Sequence, residues 1–192
     1  FFNELRHHYV RIKEALKEHN MILGISSHDS GRFEGCAHLQ KMAATIQFAL
    51  PTIPIIYYGE EIPMSTYNDR KDPMAQSRDV MRFDLHPSDM WKIYQRLIRF
   101  RKENDFSDTK ISNFQVNDEG RLMTLRIQLG EKQFYLIANN EDRTKPVNTY
   151  ELFKDLNVPN YDLTTESHLR RLGGEMFEIA PYSTYLLGQE KN

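Results

Sequence analysis

Two apolar runs, "MILGISS" at 21–27 and "IPIIYYG" at 53–59, narrow the possible folds more than any other feature of the chain. Neither carries a charge and both are too short for helices, so they read as strands buried on both faces, as in a parallel sheet covered by helices. The residues around them agree. Leu5, Tyr9, Ile12 and Leu16 recur at i, i+4, i+7 and i+11 within 4–19, a stripe that predicts a helix before the first strand. Leu39, Met42, Ala43, Ile46 and Leu50 repeat the stripe until Pro51, which cannot continue a helix. A third helix is expected from a Ser88 cap through Trp91, Tyr94, Leu97, Ile98 and Arg101. Helix, strand, helix, strand, helix is an α/β order. Residues 60–87, with Pro63, Pro73 and Pro87, lack periodicity and read as a long loop of the kind that often carries function.

Beyond about residue 105 the period changes to two. Met123, Leu125, Ile127 and Leu129 alternate with Leu122, Thr124, Arg126 and Gln128, which predicts a strand with one buried face. "VNDEGR" and "LGEK" read as turns, and "YDLTT", "EMFEIA" and "STYLLG" extend the antiparallel pattern to the end. The expected fold class is α/β plus all-β, divided at 1–104 and 105–192, with the second part able to fold alone. With 40% hydrophobic and 27% charged residues and a net charge of -2, the chain has no basic stripe for nucleic acid. No apolar stretch approaches the roughly 20 residues that span a bilayer, so no membrane partner is expected. Cys36 is the single cysteine, which fits a reducing compartment and suggests a cytoplasmic location. The chain begins with Phe1, which points to a processed product or an excised fragment.

Polar residues gather where the first strand ends: "SSHDSGR", 26–32, sets His28 beside Asp29 with Arg32 three positions on. Loops at the C-terminal mouth of parallel strands commonly form ligand sites. Together with "ALPTIPIIYYGEEI" and "DPMAQSRDVMRFD", this segment resembles the α-amylase family of glycoside hydrolases, whose barrel strand 7 ends in Asn-His-Asp and whose strand 8 reads Pro-Gly-x-Pro-x-Ile-Tyr-Tyr-Gly-Glu-Glu. "WKIYQRLIRFRKEN" is similar to the family's last barrel helix, and "FEIAPYSTYLL" to the closing strands of its C-terminal sandwich. Ser27 stands where Asn is usual, Thr52 replaces the usual Gly, and Val80 and Phe83 stand where Pro and Trp are frequent, which leaves the subfamily open.

The resemblance implies the C-terminal portion of a (β/α)8 TIM barrel, strands 7 and 8 with flanking helices, followed by an antiparallel β-sandwich. It also implies a retaining mechanism on α-glucosidic linkages, with an oxocarbenium-like transition state between two carboxyl groups. Asp29 matches the family's third catalytic carboxylate, which grips hydroxyls of the distorted ring. His28 and Arg32 match substrate-binding positions, although for Arg32 a surface charge beside a helix start is an equal alternative. The nucleophile and acid/base belong to strands 4 and 5, which are not among these residues, so the chain alone is expected to be inactive. Self-association or pairing with the missing barrel portion is expected, and no cofactor or metal site is. Glu60 and Glu61 read as structural, Tyr57, Tyr58 and Trp91 as core packing, and Asp72 and Arg78 either as contacts at the site's edge or as a loop brace. A non-catalytic remnant or accessory subunit, serving in carbohydrate binding or protein interaction, is the alternative.

Overall fold

In the computed structural model, residues 1–15, 21–33, 36–62, 64, 77–85 and 88–190 are described. The first half runs α1 (Phe2–Ala15), β1 (Ile22–Gly24), α2 (Ala37–Ala49), β2 (Ile53–Ile55), a 3₁₀ turn (Phe83–Leu85) and α3 (Asp89–Lys102). β1 and β2 pair in parallel, Ile22 with Ile53 and Gly24 with Ile55, as the two apolar runs predict, although each strand is only three residues long. Ser88 caps α3 as expected, accepting the Trp91 amide at 3.1 Å. Leu16, the last position of the first helical stripe, lies outside the described residues.

Among the described residues, β1 and β2 are covered on one side only. Leu23 and Ile56 pack into the main core, and Gln47 of α2 stitches both strands by donating through Nε2 to the carbonyls of Leu23 (2.7 Å) and Ile55 (2.8 Å). On the other side Ile22, Ile53 and Ile55 remain 61%, 48% and 45% exposed. Arg101 of α3 ties the pair to the rest: its guanidinium donates to the carbonyls of Leu50 (2.9 Å) and Thr52 (2.5 Å) and lies 3.6 Å from the Phe106 ring centroid. Burial there lowers its pKa to about 10.

The second half is a β-sandwich. β3 (Lys110–Val116), β4 (Leu122–Leu129), β5 (Lys132–Asn139), β7 (Tyr161–Asp162), β8 (Ser167–His168) and β11 (Ser183–Gly188) form a sheet in the order β3-β4-β5-β11-β7-β8, every neighbour antiparallel. β6 (Lys145–Asn148), β10 (Met176–Ile179) and β9 (Arg171–Gly173) form the second sheet, with α4 (Thr149–Phe153) after β6. Tyr135, Ile137 and Leu187 of the large sheet meet Val147, Phe177 and Ile179 of the small one in one core.

The opposite face of the large sheet does not look outward. Met123, Leu125, Ile127, Phe134, Leu136 and Leu186 join Phe48, Tyr94, Leu97 and Phe100 of the helices in a second, larger core. The alternation along β4 therefore marks the face turned to the helices, not the inside of a sandwich. The hydrophobic cluster crosses residue 104, and the stand-alone folding expected of 105–192 has no support in this packing. α1 packs on β3, where the Tyr9 and Phe114 rings lie 5.6 Å apart.

Candidate active-site rim

The turn after β1 is closed by serine hydroxyls. Ser27 Oγ accepts the amides of Asp29 (3.2 Å) and Ser30 (2.9 Å), Ser26 Oγ accepts that of Phe33 (3.0 Å), and the Ser27 amide donates to the Gly31 carbonyl (3.1 Å). Short polar side chains that bond the backbone two or three residues on are a standard way to hold such a turn. Ser27 makes three of these four bonds, two through its hydroxyl and one through its amide.

The turn presents Asp29 to solvent between His28 and Arg78. His28 Nε2 lies 3.1 Å from Asp29 Oδ2, and Arg78 Nη2 lies 3.3 Å from Oδ1. The three side chains are 59%, 69% and 54% exposed, so the contacts are weak and readily exchanged for a ligand's hydroxyls. Arg78 pairs with Asp29, which leaves both of its readings open, and Asp72 lies outside the described residues.

Arg32 occupies a different environment. It is 5% exposed, which excludes a surface charge, and its guanidinium donates to the carbonyls of Tyr58 (2.6 Å) and Ser77 (3.5 Å). The cation sits 5.2 Å from the Tyr57 ring centroid and 4.5 Å from that of Tyr58. Gly59 makes this passage possible: at φ 88°, a Cβ there would lie 2.8 Å from Arg32 Nη1 and 2.6 Å from Met64 Sδ.

Ser77 joins the two loops. Its carbonyl accepts the Tyr57 hydroxyl (2.8 Å) and the Tyr58 hydroxyl (3.2 Å) as well as Arg32, and its own hydroxyl donates to the His28 carbonyl (3.0 Å). The single Tyr58 hydroxyl proton is shared between the Ser77 carbonyl and the nearer Asp79 carbonyl, at 2.5 Å. Arg78 is thus delivered to Asp29 by a backbone clamped on both sides. Nothing in the sequence marks Ser77, because its partners lie up to 49 positions away.

Behind the rim, Glu60 is 2% exposed and takes the Tyr94 hydroxyl at 3.0 Å, while its carbonyl accepts Gln40 Nε2 at 2.8 Å. Burial raises its pKa against the opposing hydrogen bonds from Ser26, Tyr94 and the Tyr57 backbone. Glu61 accepts the Gly59 amide at 2.8 Å. Both carboxylates brace the strand end, in line with their structural reading. Tyr57 and Tyr58 are half-buried, whereas Trp91 is exposed on α3, not packed in the core. Among the described residues no group of three or more His, Cys, Asp and Glu could hold a metal, and no helix is long and apolar enough to cross a membrane.

No family model matches the chain. By sequence it is 26% identical over 169 residues to a cyclomaltodextrinase of Thermoanaerobacter pseudethanolicus, covering 85% of this chain and 27% of that protein. It is 26% identical over 167 residues to the intracellular maltogenic amylase of Bacillus subtilis, covering 83% and 28%. The chain thus spans about a quarter of the length of these curated relatives. Among solved structures, an Anoxybacillus α-amylase aligns with TM-score 0.67 at 17% identity, covering 90% of this chain and 39% of that one. The α-amylase of H. orenii aligns with TM-score 0.65 at 20% identity, covering 99% and 44%.

Proposed function

Because the chain is similar over most of its length to α-amylase-family enzymes, we propose that it is the C-terminal part of such a glycosidase, acting on α-glucosidic linkages with retention. Residues 1–104 supply strands 7 and 8 of the (β/α)8 barrel, and 105–192 the C-terminal sandwich. The observation that supports this reading best is Asp29 itself: an exposed carboxylate that accepts from Arg78 on one oxygen and has His28 Nε2 3.1 Å from the other, beyond the C-terminal ends of two parallel strands.

In the assembled enzyme Asp29 accepts hydroxyls of the ring at the scissile bond, and its charge favours the distorted, positively charged transition state. His28 donates to hydroxyls of the same ring. Arg32 serves substrate binding from beneath, bracing the two loops through the Tyr58 and Ser77 carbonyls. The nucleophile and acid/base come from barrel strands outside these 192 residues, whose strands also cover Ile22, Ile53 and Ile55. Without them the chain self-associates through that face. The proposed location is the cytoplasm.

The test is an assay of nitrophenyl maltooligosaccharide hydrolysis by the chain alone and by the chain co-expressed with the upstream barrel segment of a cyclomaltodextrinase relative. The chain alone is expected to give no turnover. The pair is expected to give activity that falls roughly a hundredfold or more in kcat for Asp29→Asn, with a smaller change in KM. Turnover by the chain alone that vanishes in Asp29→Asn would sink the fragment reading, and wild-type kcat in the Asn variant of the pair would sink the role of Asp29.

A further inference from the structure

Cys36 sits at the N-cap of α2, exposed, and its side chain makes no cap bond to the helix amides. The sulfur turns to a base instead. Cys36 Sγ lies 2.8 Å from His38 Nε2, and both residues face solvent. A thiol and an imidazole within that reach are a nucleophile and general-base pair, in which the base draws off the thiol proton.

His38 is itself held. Its ring stacks on that of Tyr182, with centroids 5.0 Å apart and planes 27° off parallel. Tyr182 belongs to the turn between β10 and β11 and has φ 46°, a left-handed conformation that a bulky side chain rarely adopts. Its amide donates to the Glu141 carbonyl at 2.9 Å, which secures the turn and keeps the ring against His38. A third group, brought from the far end of the chain, thus orients the base.

The helix acts in the same direction. Cys36 precedes the first turn of α2, a turn without an acidic side chain, and the unpaired amides of a helix start favour negative charge on the sulfur. The pair stands open on the surface, so a small reagent reaches it without entering a pocket. The 192 residues hold no second cysteine, so an adduct on Cys36 cannot be resolved into a disulfide within them and stays until an outside thiol removes it.

We propose that Cys36 is a site of reversible S-thiolation, at which a low-molecular-weight disulfide transfers one half of itself to the Cys36 sulfur. His38 Nε2 takes the thiol proton, and the Cys36 thiolate attacks one sulfur of the reagent. The new S–S bond forms as the reagent's own S–S bond breaks, and the departing thiolate recovers the proton from the His38 imidazolium. Cys36 is oxidised and the departing half reduced, so no other oxidant enters. Transient disulfides of this kind are the ones found in reducing compartments. The site shares no residue with the Asp29 rim and does not depend on the glycosidase reading.

The test incubates the full chain with oxidised glutathione at about pH 7 and follows adduct formation by intact mass. A single glutathione adduct is expected, absent in Cys36→Ser. It should form about tenfold faster in the folded wild type than in His38→Ala or in the wild-type chain unfolded in urea. The advantage over His38→Ala should vanish near pH 10, above the ordinary thiol range, where the sulfur ionises without a base. His38→Ala alters an exposed side chain, and the urea comparison needs no variant at all. Equal rates at pH 7 for the folded wild type, the variant and the unfolded chain would overturn the proposal. So would an advantage that persists unchanged near pH 10, since it would report access to the sulfur and not a proton taken by His38.

Discussion

The β1–β2 pair and the six-stranded sheet are made of the same aliphatic side chains, yet burial treats them oppositely. In the large sheet, Leu125, Ile137 and Leu186 are all 0% exposed, because helices cover one face and a second sheet the other. In the parallel pair, Leu23 is packed against the core while Ile22, Ile53 and Ile55 stand in solvent. The contrast teaches that an apolar run specifies how many faces a strand is meant to bury, and that the described residues supply every layer for one sheet and one layer too few for the other. Such an uncovered strip marks a surface that another polypeptide is suited to occupy.

The largest test of this contrast is to cut it. Residues 105–192 expressed alone would bare Met123, Leu125, Ile127, Leu136 and Leu186, and the expected outcome is aggregation or loss of the cooperative thermal transition. A soluble monomer with a sharp transition would show that the large sheet does not need the helices. Next come paired truncations in the full chain, compared by urea denaturation at low protein concentration. Leu125→Ala should cost about 2–5 kcal/mol, and Ile53→Ala should stay within about 0.5 kcal/mol. Equal costs would erase the distinction between covered and uncovered strands.

Association should follow the same line. By size exclusion with light scattering, the chain is expected to form oligomers that Ile53→Lys with Ile55→Lys converts to monomers. A wild-type monomer, or oligomers indifferent to the double change, would move the contact elsewhere.

The smallest effect concerns Glu60. Its pKa is raised in the folded state, so the folded chain binds the proton more tightly than the unfolded one. Its contribution to stability is then present below the ordinary carboxylate range and is lost as pH rises through the folded value. Glu60→Gln should therefore gain on wild type as pH is raised from the acid side toward neutrality, read as the difference in Tm. A difference independent of pH would mean that Glu60 does not titrate in that range.

The elements legible in the sequence were those whose partners lie close along the chain or whose period is long enough to count. The stripes of α2 and α3, the Ser88 cap and the alternation of Met123 through Leu129 all meet that condition. A near partner was not enough for β8 and β9: two or three residues show no period, even though their partners, β7 and β10, are their neighbours in the chain. Alternation revealed a buried face of β4 but carried no information about what buries it, because a helix and a sheet ask the same of Leu125. His28 and Asp29 could be read because they are adjacent. The Ser77 hub and the Tyr94 bond to Glu60 could not, since they join residues 49 and 34 positions apart.

The double clamp on Ser77 has a consequence for how Asp29 is unmasked. The backbone that carries Arg78 is pinned by Tyr57, Tyr58 and Arg32 on one side and by the His28 carbonyl on the other, while the Arg78 side chain is more than half exposed. Releasing the carboxylate therefore requires a rotamer change, which exposed side chains complete in picoseconds to nanoseconds, and not a loop opening that takes far longer. If Asp29 takes a ligand's hydroxyl as proposed, that step needs no movement of this backbone, and a slow step in reaching the rim is expected to lie elsewhere in the molecule.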